Sequence, residues 1–106
     1  REYTNKIIKI KKPNDILIDE KKICGILQEV IDHKKEKYLI TGIGINTKIS
    51  PLSKDFECTS LKNHSKKYVN NKIIINKIKN NYDKLIYDIN NHTSLRVKKN
   101  TNKWKY

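Results

Sequence analysis

Residues 11–31, K-K-P-N-D-I-L-I-D-E-K-K-I-C-G-I-L-Q-E-V-I, decide how the rest of the chain is read. Pro13 biases Lys12 toward an extended backbone, and Asn14-Asp15 is turn chemistry. Short β-branched runs flank it, K-I-I-K-I at residues 6–10 and I-L-I at residues 16–18, and predict two strands. Asp19-Glu20-Lys21-Lys22 predicts a second turn, after which a β pattern resumes over residues 23–31 through Gly25. Residues 32–37 are all polar, and residues 38–45 predict a fourth strand. Connections of about four to six residues between such segments predict an antiparallel meander.

Downstream the period changes. Residues 46–67 show none and read as loop, with Ser50-Pro51 among polar clusters. Over residues 69–91, Ile74, Ile78, Tyr82, Leu85 and Ile89 recur at spacings of three and four, which predicts a helix with one apolar stripe. Lys77, Lys79, Lys84 and the asparagines would form its wet face, and Asn90-Asn91 would end it. Residues 93–106 are weakly patterned, with Trp104 as an anchor. The order predicts an α+β fold: a mainly antiparallel sheet with a packed helix.

At 106 residues the chain has room for one domain. Its formal charge is +13, concentrated in the second half: residues 58–106 carry twelve basic groups against Asp83 and Asp88 alone. Lys, Asn and Ile, whose codons are rich in A and T, together fill half of the positions, so coding bias alone can load a surface with lysine. Arginine occurs only at Arg1 and Arg96. Dedicated readers of bases and phosphates favour the bidentate guanidinium, so nucleic acid is not the expected partner. Two cysteines exclude a disulfide scaffold, and no apolar run reaches the ~18 residues of a membrane helix. The chain has no methionine and opens at Arg1, so it reads as a processed or partial one.

Three segments carry chemistry. Lys11-Lys12-Pro13-Asn14-Asp15 puts a cation, a kink, an amide and a carboxylate at the mouth of a hairpin. Lys22-Ile23-Cys24-Gly25-Ile26-Leu27 follows; if its strand pairs back across the turn, Lys22 returns beside residues 16–18, and Gly25 leaves room for a ligand against backbone. Gly42-Ile43-Gly44-Ile45-Asn46 ends a strand with two glycines and an amide able to pair with a purine edge. Each alone is common. Their order and spacing together are specific.

That combination resembles the biotin protein ligases, whose catalytic domain carries a Lys-Trp-Pro-Asn-Asp turn, a Lys-x-x-Gly-Ile-Leu strand and a Gly-x-Gly-Ile-Asn strand end in this order. Cys58-Thr59-Ser60-Leu61 adds a weaker echo of the family's Ala-Thr-Ser-Leu. The resemblance implies a catalytic domain of the class II aminoacyl-tRNA synthetase/biotin synthetase type, acting in the cytoplasm or an organelle lumen. It implies ATP, Mg²⁺ and biotin as cofactors and substrate, and a biotin carboxyl carrier domain of a carboxylase as partner. Biotin is activated to biotinyl-5′-AMP and passed to a carrier lysine. By the same resemblance Lys22 is the catalytic cation, Lys11 adds positive potential and Asn14 a polar contact. Asp15 orients the cations or a Mg²⁺, Gly25 lets backbone lie against biotin, and Asn46 contacts adenine.

Two positions depart from the family pattern: Lys12 replaces its Trp, and Lys48 stands where it often has a second Asn. The arginine-rich loop that precedes the first motif in the family has no counterpart here, nor has the small C-terminal β domain. Residues 1–106 are therefore expected to be the C-terminal portion of such a catalytic domain, inactive alone and able to pair with a missing half. Alternatives are a lipoate–protein ligase of the same superfamily and a non-catalytic basic module binding RNA or an acidic protein through residues 58–106. Cys24 and Cys58 read as buried filler, and His33, His64 and His92 lack metal-ligand spacing.

Overall fold

The computed structural model describes residues 3–92. Four strands, β1 (Ile8–Lys11), β2 (Asp15–Ile18), β3 (Lys21–His33) and β4 (Glu36–Ile45), form one sheet in the order β1-β2-β3-β4. Every neighbouring pair is antiparallel. A 3₁₀ turn at Leu61–Asn63 and one helix, α1 (Asn71–His92), follow. The predicted α+β class and the meander are both present. The residue 93–106 tail and Trp104 lie outside the described residues.

The connections are shorter than the sequence predicts. Residues 12–14 link β1 to β2, and Asp19-Glu20 and Lys34-Lys35 close the other two hairpins. Polar residues 32, 33, 36 and 37 pair as strand, not loop, with Asp32 opposite Lys37 and His33 opposite Glu36. Polarity misleads here because the outer hairpin is exposed on both faces; Val30 and Leu39, an opposed pair, are themselves 63% and 61% exposed. A ladder of backbone hydrogen bonds tolerates any side chain that stays in water. The Lys12–Pro13 peptide is cis.

Both two-residue turns have positive φ at their central positions, 52° and 63° at Asp19 and Glu20, 49° and 65° at Lys34 and Lys35. Such turns match the twist of a hairpin but normally use Asn-Gly or Asp-Gly, so their type is not marked in the sequence. A left-handed backbone costs a non-glycine residue about 1–2 kcal/mol, and glycine returns roughly 0.5–1 kcal/mol of that as unfolded-state entropy. Lys35→Gly is therefore expected to stabilise the hairpin by about 0.5–1 kcal/mol and raise the melting temperature by roughly 2–8 °C. An unchanged or lower melting point would contradict this.

The core lies on one face of the sheet. Ile18, Ile23 and Cys24 are 2%, 5% and 6% exposed, and Ile16, Ile26, Ile43, Ile45 and Leu61 pack against them. Register explains the grouping: Ile16 faces Cys24, Cys24 faces Ile45, and Ile26 faces Ile43. Both cysteines are free thiols, and burial pushes the Cys24 thiol up, as expected of inert filler.

The segment after β4 is stitched back to the sheet. Lys22 N–H donates to the Glu57 carbonyl at 2.9 Å and Thr59 N–H to the Lys22 carbonyl at 2.8 Å. Leu61 N–H donates to the Asn46 carbonyl at 2.8 Å. His64 closes the same region. Lys6 Nζ, a donor only, lies 3.0 Å from His64 Nδ1, so that nitrogen accepts and Nε2–H donates to Thr59 Oγ1 at 2.7 Å. Lys6 also binds Asp19 Oδ2 at 2.7 Å, a hydrogen bond that lowers the Asp19 carboxyl.

Burial, then the Lys6 ammonium, push His64 below its ordinary 6.5, against a weaker pull upward from Asp19. The unfolded chain thus takes up the His64 proton first. Stability from His64 is full above about pH 6.5 and is lost as pH falls from there through the folded value. The urea midpoint is expected to be lower at pH 5.5 than at pH 7.5, and His64→Asn is expected to flatten the difference. Equal wild-type midpoints would refute the arrangement.

A second unit begins after Val69. Asn70 starts the helix: its Oδ1 accepts from the N–H groups of Lys72 at 3.0 Å and Ile73 at 3.3 Å. The stripe differs in one place from the prediction. Ile74 is buried and Ile78, Tyr82, Ile86 and Ile89 are half-buried, whereas Leu85 is 50% exposed. Spacings of four carry the face to Ile86 where three would have chosen Leu85. Lys79 is not on a wet face, since it pairs with Asp83 at 3.2 Å and both are mostly covered. The helix also continues past Asn90-Asn91 to His92.

Candidate functional site

The three sequence segments meet in a single row across the sheet. Lys11 faces Asp15, Asp15 faces Gly25, and Gly25 faces Gly44. Cross-strand partners share a face. Each segment thus contributes to one line of positions on the face opposite the core. Gly42, opposite Leu27, lies on the same face.

Lys22 reaches that face through an irregularity. Asp15 and Ile16 pair with Gly25 and Cys24, but Leu17 pairs with Lys22, so Ile23 is an extra residue and the ladder bulges. Ile23 and Cys24 are both buried in succession, which strict alternation forbids. One inserted residue restores the parity of its neighbours, so Lys22 and Gly25, three apart, share a face. The lysine chain then lies across Gly25: a Cβ there would sit 3.3 Å from Lys22 Cε and 3.4 Å from Nζ. Its ammonium is 3.0 Å from Asp15 Oδ1 in an ion pair about three-quarters covered on both sides. The sequence predicts Lys22 beside β2, and this is where it lies. It cannot predict the bulge, which has no residue signature here.

A hollow of about 470 Å³ opens over this face, lined by Asn14, Asp15, Lys22, Gly25, Leu27 and Gly44 among others. All three glycines of the chain line it. None has positive φ, so none is required by backbone conformation. A Cβ on Gly44 would meet nothing within 4 Å, and one on Gly42 only a carbonyl at 3.9 Å. What these positions lack is side-chain volume, and the space left is the hollow.

Of the six residues singled out by sequence, Asn14, Asp15, Lys22 and Gly25 line this space. Lys11 sits directly across from Asp15 but is not in the lining. Asn46 is not brought in. Its Nδ2 donates to the carbonyls of Thr59 at 3.1 Å and Lys22 at 3.4 Å, and its N–H to the Ile23 carbonyl at 2.8 Å. Its amide ties the returning segment to the bulge. Phe56 is the residue that sequence reasoning missed; its ring centroid lies 4.8 Å from Lys22 Nζ. A single aromatic in an unpatterned loop carries no signal for this.

As a metal donor set the site is poor. Asp15 is the one acidic side chain in the lining, its Oδ1 is engaged by Lys22, and among the described residues no three His, Cys, Asp or Glu side chains gather. With one carboxylate, Mg²⁺ would depend on substrate phosphates and water for its other ligands.

What the arrangement offers is one fixed ammonium, one counter-carboxylate, an amide, and a stretch of bare backbone. An elongated anionic molecule can lie along the strands with its charged centre at Lys22. Residues 1–46 match the model of the Biotin/lipoate A/B protein ligase family, a span that runs from before β1 to the end of the Gly42–Asn46 motif. The matched span contains the whole of the Lys11, Asp15, Gly25 and Gly44 row, and over it the chain is similar to that family of ligases, which supports a biotin- or lipoate-type ligase function.

Proposed function

We propose that the hollow holds biotin as its adenylate, and that the chain is part of the catalytic domain of a biotin–protein ligase. The observation that carries this is the convergence of Lys22, Asp15 and the glycine-lined backbone on one face. Biotin is preferred to lipoate because Pro13-Asn14-Asp15 and Gly42-Ile43-Gly44-Ile45-Asn46 follow the biotin pattern.

The chemistry asks for a cation at that point. A carboxylate oxygen of biotin attacks the α-phosphorus of ATP, and pyrophosphate leaves with the bonding electrons. The ε-amine of a carrier-domain lysine then attacks the acyl carbon, forming the amide and releasing AMP. Both steps build charge on phosphoryl or carboxyl oxygens, where a pre-positioned ammonium stabilises most. Lys22 supplies it, Asp15 orients it, Lys11 adds long-range positive potential, and Asn14 offers a neutral polar contact. Gly25 leaves room for the Lys22 side chain, and Gly44 lets the ligand lie against backbone.

Calorimetric titration with non-hydrolysable biotinyl- and lipoyl-adenylate analogues tests the assignment. The biotinyl analogue is expected to bind more tightly. Lys22→Ala is expected to weaken it by about 10- to 150-fold, the loss of one charge-assisted contact. Binding of the lipoyl analogue alone would transfer the assignment to lipoate, and tight binding by Lys22→Ala would remove Lys22 from its role.

A further inference from the structure

We propose that Phe56 is a positioning residue: its ring holds the Lys22 ammonium in place when an anionic ligand displaces that ammonium from Asp15. The proposal rests on the reading of the hollow as an anion-accepting site.

Lys22 Nζ has two partners, Asp15 Oδ1 at 3.0 Å and the face of Phe56 at 4.8 Å from the ring centroid. They are not equivalent toward a ligand. Asp15 is itself an anion, so a phosphate or carboxylate arriving at Lys22 competes with it and is repelled by it. An aromatic face attracts a cation through its quadrupole yet carries no net charge. The ring can keep its hold while the ligand takes the place of the carboxylate. Without it, a displaced lysine regains rotamer freedom, and ordering it again weakens binding.

Phe56 is brought here by specific backbone bonds. Its neighbour Glu57 accepts the Lys22 N–H at 2.9 Å, Cys58 bridges Lys22 in parallel register, and Thr59 N–H returns to the Lys22 carbonyl at 2.8 Å. Asn46 Nδ2 secures the Thr59 carbonyl at 3.1 Å. The segment that carries the ring is thus locked to the main chain of the residue whose side chain the ring contacts. Phe56 itself is 45% exposed, so the ring adds little to the core and its removal leaves the fold intact.

The test uses the 106-residue chain with inorganic pyrophosphate as probe, and the variants Phe56→Leu and Phe56→Tyr. In the wild type the Lys22 Hε resonances are expected upfield of the other lysines by ring current. The shift is expected to persist in Phe56→Tyr and vanish in Phe56→Leu. Pyrophosphate affinity is expected to fall about 2- to 5-fold in Phe56→Leu and to be kept in Phe56→Tyr, the range for a surface cation–π contact. Loss of the upfield shift from the wild type, equal affinity in Phe56→Leu, or no pyrophosphate binding by the wild type would each overturn the proposal. If the Phe56 effects hold while the biotinyl-adenylate analogue does not bind, the ring's role stands and the biotin assignment fails.

Discussion

Gly44→Val is expected to fold as well as the wild-type chain and to lose binding of a biotinyl-adenylate analogue by about 10- to 100-fold, the range for overfilling a packed space. The two halves of this expectation have separate causes. The fold tolerates the change because a Cβ at Gly44 meets no atom within 4 Å and the backbone there needs no left-handed conformation. Valine also suits a strand better than glycine does, so unfolding is expected to be unchanged or slightly harder. The binding loss comes from position: Gly44 stands directly opposite Gly25, so the valine methyls enter the hollow beside Lys22. A variant that binds as before would show that the ligand lies elsewhere.

The second large effect concerns stability. Ile18→Ala is expected to cost about 2–5 kcal/mol, a deleted buried side chain plus the cavity it leaves. Ile18 is 2% exposed and stands at the centre of the small core with Ile23 and Cys24. A domain of this size has roughly 5–15 kcal/mol of net stability, so the variant gives up a large fraction of it. Ile10→Ala is the control. Ile10 is in the neighbouring strand but 78% exposed, and its loss is expected to change stability by less than about 0.5 kcal/mol. Chemical unfolding of both variants checks the pair; similar midpoints would mean that Ile18 is not part of the core.

The strands, their order and their antiparallel pairing were legible because runs such as residues 16–18 are short, β-branched and bounded by turn residues. Their lengths were not, since residues 32–37 look like loop by polarity, yet all but the Lys34-Lys35 turn pair in a ribbon that water reaches from both sides. The helix start was legible only to within two residues, because Asn70 acts through its side chain as a cap and one Asn among thirteen is hard to single out. At the site, the motifs gave Asn14, Asp15, Lys22 and Gly25 a common place. The reason that Lys22 shares a face with Gly25 is the bulge at Ile23, a feature of the backbone with no side-chain marker. The place of Asn46 outside the lining was hidden for a related reason. An amide at a strand end serves a ligand or a neighbouring carbonyl equally well, and here the Thr59 carbonyl takes it. In sequence Gly42 and Gly44 only mark the end of a strand; in three dimensions they are the floor that side chains leave empty.

The same three glycines allow the decisive measurement. The chain contains no others, so selective ¹⁵N-glycine labelling gives three backbone resonances, and Gly25, Gly42 and Gly44 all line the hollow. Titration with a non-hydrolysable biotinyl-adenylate analogue is predicted to shift all three in a saturable manner, with one common dissociation constant. Three resonances that stay in place at saturating analogue would contradict the assignment of this face as the ligand site.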